Sequence, residues 1–390
     1  MPFDSDIALI GTGVAPLVAA SHLLSLGKSI LLLNPDSDFF LEDSELPLDP
    51  LLHGVKITPA RLSAQRVDDS LRVIEPYFPG AIERWPASPS QARGFRDPEA
   101  PHIRSRARLW LPMTDELEAP YVESSDLGLN PQILEGVQAL VKFPGMAPGR
   151  PGNSVARALM VSKLADVDVS RYRNGLLEFM RERLGREGVV CNASSLELTP
   201  EGVRFRSQGV ASTARLRLGA LIFWTPRLSS WILGQAKRQG AKLPMPVGVR
   251  LWEQWSILSR DEVDPSVVGI WDGRMAVWAD GEGAPGTRQL AVLRAGPLVS
   301  LDSLQARREG VSWASSESFD ALGALCREFL HWERYTIRGM RPRAIFEWGP
   351  GEPDGVASVF DTPTFVVQKS DGPLRDVVEA ARRACDRLQL

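Results

Sequence analysis

Close to the start of the chain a short apolar stretch, Ile7-Ala8-Leu9-Ile10, runs directly into Gly11-Thr12-Gly13-Val14-Ala15-Pro16 and then into leucines at helical spacing. A buried strand, a tight glycine turn and a helix make the opening of a doubly wound parallel sheet. The turn aims the helix N-terminus past the strand end, where a dinucleotide pyrophosphate can rest. The helix is expected over 14–26, with Leu17, Ala20, Leu23 and Leu24 repeating at helical spacing and Gly27 as its stop. Ser29 to Leu33 then supplies a second strand and completes a βαβ unit of the usual size. The third glycine of G-x-G-x-x-G is missing, because Pro16 stands there. A proline in the first helical turn gives up only an N–H that has no intrahelical partner, so the helix survives. Its ring still fills space that glycine leaves for helix–strand packing.

With 390 residues the chain exceeds one ordinary core, so two domains are expected. A helix is expected over 59–75, Pro and Arg accumulate from Trp85 to Leu111, and residues 147–153 form a break. Arg104, Arg106 and Arg108 alternate and would share one face of a strand, as a solvated edge or an anion site. From Asn174 a helix carries Leu176, Leu177, Met180 and Leu184 and ends at glycines. Short strands follow at Val189–Cys191, Ser195–Leu198 and Gly202–Phe205. Residues 214–218 alternate, and Ala220 to Trp224 forms an apolar strand stopped by Thr225-Pro226. Between 247 and 300, strand-like pieces (247–252, 267–271, 275–278 and 290–293) alternate with Gly/Asp turns, as in an antiparallel sheet. A helix over 317–332, a strand over 364–367, a turn at 370–373 and a helix over 374–388 close the pattern.

Three blocks, the opening turn, residues 174–226 and the closing strand–turn–helix, follow the order seen in the FAD-dependent amine oxidase and phytoene desaturase superfamily, which the chain resembles over about a third of its length. That resemblance implies an α/β fold: a Rossmann-like FAD/NAD(P)-binding domain interleaved with a smaller α+β substrate domain containing an antiparallel sheet. The nucleotide domain would take 1–58, 171–235 and 355–390, and the substrate domain 59–170 and 236–354. It implies a flavoprotein oxidoreductase with FAD as cofactor, acting on a small organic substrate. Gly11, Gly13, Val14 and Ala15 match the positions that approach the pyrophosphate. Asn34 or Asp36 stands for the acid that grips the adenosine ribose, Ser195 for the residue meeting adenine, and Thr225 for the end of the Thr-Pro strand. Lys369, or Asp371 if the turn is shifted, stands for the residue near the ribityl phosphate. No catalytic base is singled out by spacing.

The chain departs from that family at several of these positions. Asn34 is neutral, the usual Gly-Gly-Arg turn is replaced by Ser37-Asp38-Phe39-Phe40, and Gln368-Lys369 replaces a Gly-Asp pair. A hydrogen bond to a charged group is worth about 1.5–3 kcal/mol. Losing both acids would therefore weaken a nucleotide by about two to four decades, part of which Lys369 offsets by facing a phosphate. The opening turn is also similar to that of Rab GDP-dissociation inhibitors and escort proteins, which keep this fold without flavin and bind proteins. A non-catalytic binding or scaffold protein, with a protein partner, is thus the alternative to the enzyme. NAD(P)H alone is a third reading, less in keeping with a closing strand–turn–helix.

Other features narrow the function. A net charge of -3 offers no general attraction for nucleic acid, and no apolar run approaches the roughly 20 residues of a membrane span. With Asp4 and Asp6 and no basic residue before Lys28, the start does not read as a secretory signal. Cys191, Cys326 and Cys385 lie far apart, which suits reduced thiols in a cytoplasm, and the four histidines show no metal-ligand spacing. Gly27-Lys28-Ser29 reads as a helix stop, since His22 occupies the place a phosphate loop gives to glycine. Gly152 to Ala156 lacks the closing glycine of a nucleophile elbow. Trp252, Trp255, Trp271 and Trp278 either pack a sheet core or line a cavity for an apolar or aromatic substrate.

Overall fold

The computed structural model describes residues 2–35 except Thr12, much of 103–138, 157–161 and 165–167, most of 169–300, and then most of 319–324 with 335–347, 356–358, 364–367 and 374–388. The expected helix over 59–75, the break at 147–153 and the turn at 370–373 lie outside these residues.

In chain order the first unit is β1 (Pro2–Ile10), α1 (Val14–Ser25) and β2 (Ile30–Leu33). Five short strands follow: β3 (Ile103–Ser105), β4 (Ala107–Leu111), β5 (Pro131–Glu135), β6 (Arg157–Val161) and β7 (Ala165–Val167). The central block is α2 (Val169–Leu184), β8 (Val189–Val190), β9 (Ser194–Thr199), β10 (Gly202–Ser207), β11 (Val210–Phe223) and α3 (Ser229–Arg238). Long strands come next: β12 (Gly248–Ser259), β13 (Val267–Trp271), β14 (Met275–Glu282), β15 (Arg288–Val299) and β16 (Tyr335–Glu347). The last elements are β17 (Val356–Ser358), β18 (Thr364–Val367) and α4 (Leu374–Arg387).

Strands β8, β2, β1, β11 and β18 lie side by side and parallel, with β17 antiparallel at the edge. Parallel strands buried on both faces read as continuous apolar runs, and Ile7 to Ile10 are fully enclosed. Alternation sorts the two faces. Ile7, Leu9, Leu221 and Phe223 point toward α1, α2 and α4, while Ala8, Ile10, Ile222 and Trp224 point toward β9, β10 and α3. Helix α1 is buried almost all round, because α2 and α4 cover the sides that the sheet does not.

At the opposite end of the sheet, β1 starts earlier than its apolar residues suggest, since Pro2 to Ser5 pair with Thr213 to Leu216 of β11. There Asp6 accepts hydrogen bonds from the Ser29 amide at 2.8 Å and the Ser29 hydroxyl at 2.9 Å. These bonds hold its carboxyl below the usual carboxylate range, with Arg217 and Lys28 adding to the effect.

The second sheet has the order β16-β12-β15-β14-β13-β4-β6-β5 and is antiparallel except where β13 meets β4. The expected pieces at 247–252 and 290–293 are the cores of much longer strands. Strand β16 gives no alternating signal because Gly339, Pro342 and its arginines interrupt it; at the sheet edge its proline is tolerated. Of the three alternating arginines, Arg106 lies outside the described residues, and the other two do not share one strand. Arg104 belongs to β3, which among the described residues pairs with β7, and Arg108 to β4 in the large sheet. The two sheets meet where Val249, Leu251 and Phe346 pack on the Trp224 side of the parallel sheet, with the Trp224 and Phe346 rings edge to face at 5.8 Å.

Candidate functional site

In a doubly wound sheet, ligands bind beyond the carboxyl ends of the strands, where the chain order switches direction. Here β1 leads to β2 on one side through α1, and β11 lies on its other side. By that rule the ligand end of the sheet lies at the end of β1, where Gly11, Gly13, Val14, Ala15, Asn34 and Thr225 come together from three neighbouring strand ends.

The two glycines of the turn have different reasons. A side chain at Gly11 would place its Cβ 2.9 Å from Cβ of Phe223, so this glycine lets β11 close against β1. Its amide donates to the Leu33 carbonyl at 3.1 Å, tying the turn to β2. Gly13 is the N-cap of α1 with φ 84° and ψ -157°, a conformation essentially reserved for glycine. Gly13 has no side chain to cap the helix, and the first turn of α1 holds no acidic residue. Such an end carries a partial positive charge and suits an anionic group. Val14, Ala15 and Pro16 are buried beneath it, and Pro16 falls where its missing N–H costs no helical bond.

Asn34 is fully enclosed. Its amide donates to the Val190 carbonyl and its carbonyl accepts from the Ala193 amide, both at 2.8 Å, so the exit of β2 is stitched to the exit of β8. Ser195 stands just beyond, exposed, with φ 52° where the β9–β10 ladder slips. Thr225 is buried and its carbonyl accepts from Leu228 at 3.0 Å to start α3. Helix α3 follows Pro226 without a sequence signal of its own. The helix is fixed on β9 by Trp231 Nε1 and Gln235 Nε2, which both donate to the Leu196 carbonyl. Lys369, Asp371 and Asp36 lie outside the described residues.

The large sheet supplies the other polar groups near the seam. Glu253 and Arg294 face each other across β12 and β15 at 3.4 Å, both largely buried, and the Trp255 indole donates to Glu253 at 3.3 Å. The Trp255 ring also meets Phe319 edge to face. Trp252 and Trp255 are thus both core residues, while the Trp271 and Trp278 side chains are outside the described set. Arg250 pairs with Glu347 next to the seam. Burial pushes the Cys385 thiol up to about 12, which makes it a packing residue and not a nucleophile. Among the described residues no group of His, Cys, Asp or Glu gathers as a metal site, and no helix is long and apolar enough to cross a membrane.

No protein family and no curated protein matches the sequence. Solved structures do match its fold over nearly the full length. L-alpha-glycerophosphate oxidase from Mycoplasma pneumoniae, with FAD bound, superposes with a TM-score of 0.66 at 13% identity, covering 99% of this chain and 94% of that one. L-amino acid deaminase from Proteus vulgaris gives a TM-score of 0.64 at 12% identity over 100% and 94% of the two chains. Glycine oxidase from Geobacillus kaustophilus gives 0.62 at 12% over 98% and 93%. The chain shares with these proteins the Rossmann-like sheet and the second domain built on a large sheet.

Proposed function

We propose that this chain is an FAD-dependent oxidoreductase acting on a small organic substrate, with the cofactor's pyrophosphate at the N-terminus of α1. One observation carries the reading. At the switch point of the parallel sheet α1 starts from Gly13, an N-cap that holds a φ of 84° and brings no side chain of its own. The shared fold with an oxidase that has FAD bound supports it.

When bound, a flavin supplies a two-electron acceptor for a hydride equivalent, and the protein supplies position and polarity. In this reading the backbone from Gly11 to Ala15 faces the pyrophosphate, and Asn34 meets the adenosine ribose as a neutral partner. Ser195 borders adenine, Thr225 closes the strand beside it, and Lys369 and Asp371 serve the ribityl phosphate region. The nucleotide domain takes 1–58, 171–235 and 355–390, and the substrate domain takes the rest. Three well-separated cysteines suit a cytoplasmic setting.

The purified protein is expected to absorb in the flavin bands, and added FAD to raise its melting temperature. Saturation at a hundredfold over Kd stabilises by about 2.7 kcal/mol. A colourless protein whose melting does not respond to FAD would sink this reading and leave a binding or scaffold role for the fold.

A further inference from the structure

Among the described residues, Asn130, Asn192, Ser195 and Gln208 hold a positive φ without being glycine. Asparagine tolerates this conformation. Gln208 shares with Gly209 the two-residue turn of the β10–β11 hairpin, where a positive φ is the rule. Ser195, with φ 52°, has neither reason. A side chain held in this region persists where the surrounding structure enforces it, and such positions gather at ligand clamps.

The enforcing contacts lie on β9 and α3. Strand β9 takes three steps from Glu197 to Ser194 while β10 takes two from Arg204 to Arg206, so β9 bulges at Ser195 and Leu196. Bulges re-aim side chains and concentrate next to active sites. Here the bulge leaves Ser195 exposed and the Leu196 side chain buried. The Leu196 carbonyl accepts from Trp231 Nε1 at 2.8 Å and from Gln235 Nε2 at 3.3 Å. These donors are four residues apart on α3, so they reach the carbonyl from one face of the helix. Both lone pairs of that oxygen are then taken by side chains of a single element.

The bulge also sits in a closed circuit at the ligand end of the sheet. On one side the Ala193 amide donates to the Asn34 carbonyl at the exit of β2, at 2.8 Å. On the other, α3 begins at the exit of β11, where the Leu228 amide donates to the Thr225 carbonyl at 3.0 Å. The two strand exits are thus joined through β9 and α3, and Ser195 lies on the joining segment.

We propose that Trp231 and Gln235 are positioning residues for the adenine of the cofactor. By fixing the Leu196 carbonyl they hold the Ser195 backbone in its left-handed conformation, and so set the edge that adenine meets; neither side chain touches the nucleotide. This rests on the oxidoreductase reading, in which Ser195 borders adenine, and adds that the hold on the base is governed by α3. The pyrophosphate end at Gly13 is independent of it.

The test is a calorimetric titration of the full chain, dialysed free of nucleotide, with ADP and with GDP, which share ribose and diphosphate and differ in the base. Trp231→Phe and Gln235→Met, each checked for cooperative melting, should each bind ADP about tenfold more weakly, with affinity for GDP as in the wild type. A role in stability alone would lower both nucleotides alike or neither. Adding Ser195→Gly to Trp231→Phe should regain much of the lost ADP affinity, because glycine takes a positive φ without steric cost. Folded variants with wild-type ADP affinity, equal losses for ADP and GDP, or no recovery with glycine at 195 would each overturn the positioning role. Titration of the wild type with FAD separates the two claims. A chain that binds FAD and ADP but shows any of these results loses the positioning role alone. A chain that binds neither nucleotide loses the cofactor reading and the positioning role with it.

Discussion

At the ends of the parallel strands the buried polar contacts are made by backbone: Gly11 to Leu33, Asn34 to Val190 and Ala193, and Trp224 to Val367. In the large sheet the corresponding contacts are made by side chains, with Glu253, Arg294, Trp255, Arg250 and Glu347 holding one another across neighbouring strands. The contrast separates two ways of building a site. A backbone site depends on conformation and close approach, so it constrains glycines and tolerates changes in the surrounding side chains. A side-chain site depends on charge and shape, so it constrains individual polar residues and leaves little trace in local spacing.

If the large sheet rests on side-chain pairs, removing one member should be the most damaging change of all. Glu253→Leu leaves Arg294 buried without that partner and should cost about 3–5 kcal/mol in urea unfolding, while Glu253→Leu with Arg294→Met recovers most of it. A single substitution costing under about 1 kcal/mol would break the comparison.

The second test concerns the backbone site. Gly13→Val forces a side chain into a conformation worth about 1–3 kcal/mol of strain. FAD affinity should fall about tenfold to hundredfold in a fluorescence titration. Wild-type affinity would show that the turn does not face the cofactor. Gly11→Ala should instead act on packing against Phe223, lowering stability by about 1–2 kcal/mol and leaving the affinity of the folded protein for FAD nearly unchanged. Equal effects of the two glycine substitutions on FAD would erase the distinction drawn between them.

The smallest effect belongs to the far end of the parallel sheet. Asp6→Asn should cost about 1 kcal/mol at neutral pH by weakening the bonds to Ser29. Because the folded carboxyl titrates below its unfolded value, that difference is present above about pH 4 and disappears as pH falls through the lowered folded value. Thermal melts of both proteins from pH 7 to pH 3 would show whether the gap closes; a constant gap would remove the charge from the explanation.

The same contrast explains what could be seen in the sequence. The first βαβ unit, the block from α2 to β11 and the closing strand and helix were legible because apolar runs and turn glycines are local marks of a parallel sheet. So were the cores of β12 to β15. Strand β16 was not legible, since Pro342 and Gly339 are tolerated only by its place at an edge. Helix α3 was hidden behind Pro226, because its anchor is the carbonyl of Leu196, far away in sequence. At the candidate site, the sequence marks Gly11 and Gly13 alike as turn glycines and offers one reason for both. The structure gives Phe223 as the reason for the first. Glu253 carries no local signal, because the apolar pattern ends at Trp252 and polar residues inside a sheet leave no mark in spacing.

Strand β11 bears on how this protein comes into being. It pairs with β1 from Thr213 to Ile222, with β10 at its start and with β18 at its end. The ribosome delivers Ile10 long before its neighbour Ile222, and Val367 later still. The N-terminal hairpin of strand and helix must therefore wait, incompletely covered, until most of the polypeptide has emerged. Under the oxidoreductase reading, FAD loading would then be a late event in biogenesis, and chaperone dependence should concentrate on that waiting N-terminal segment.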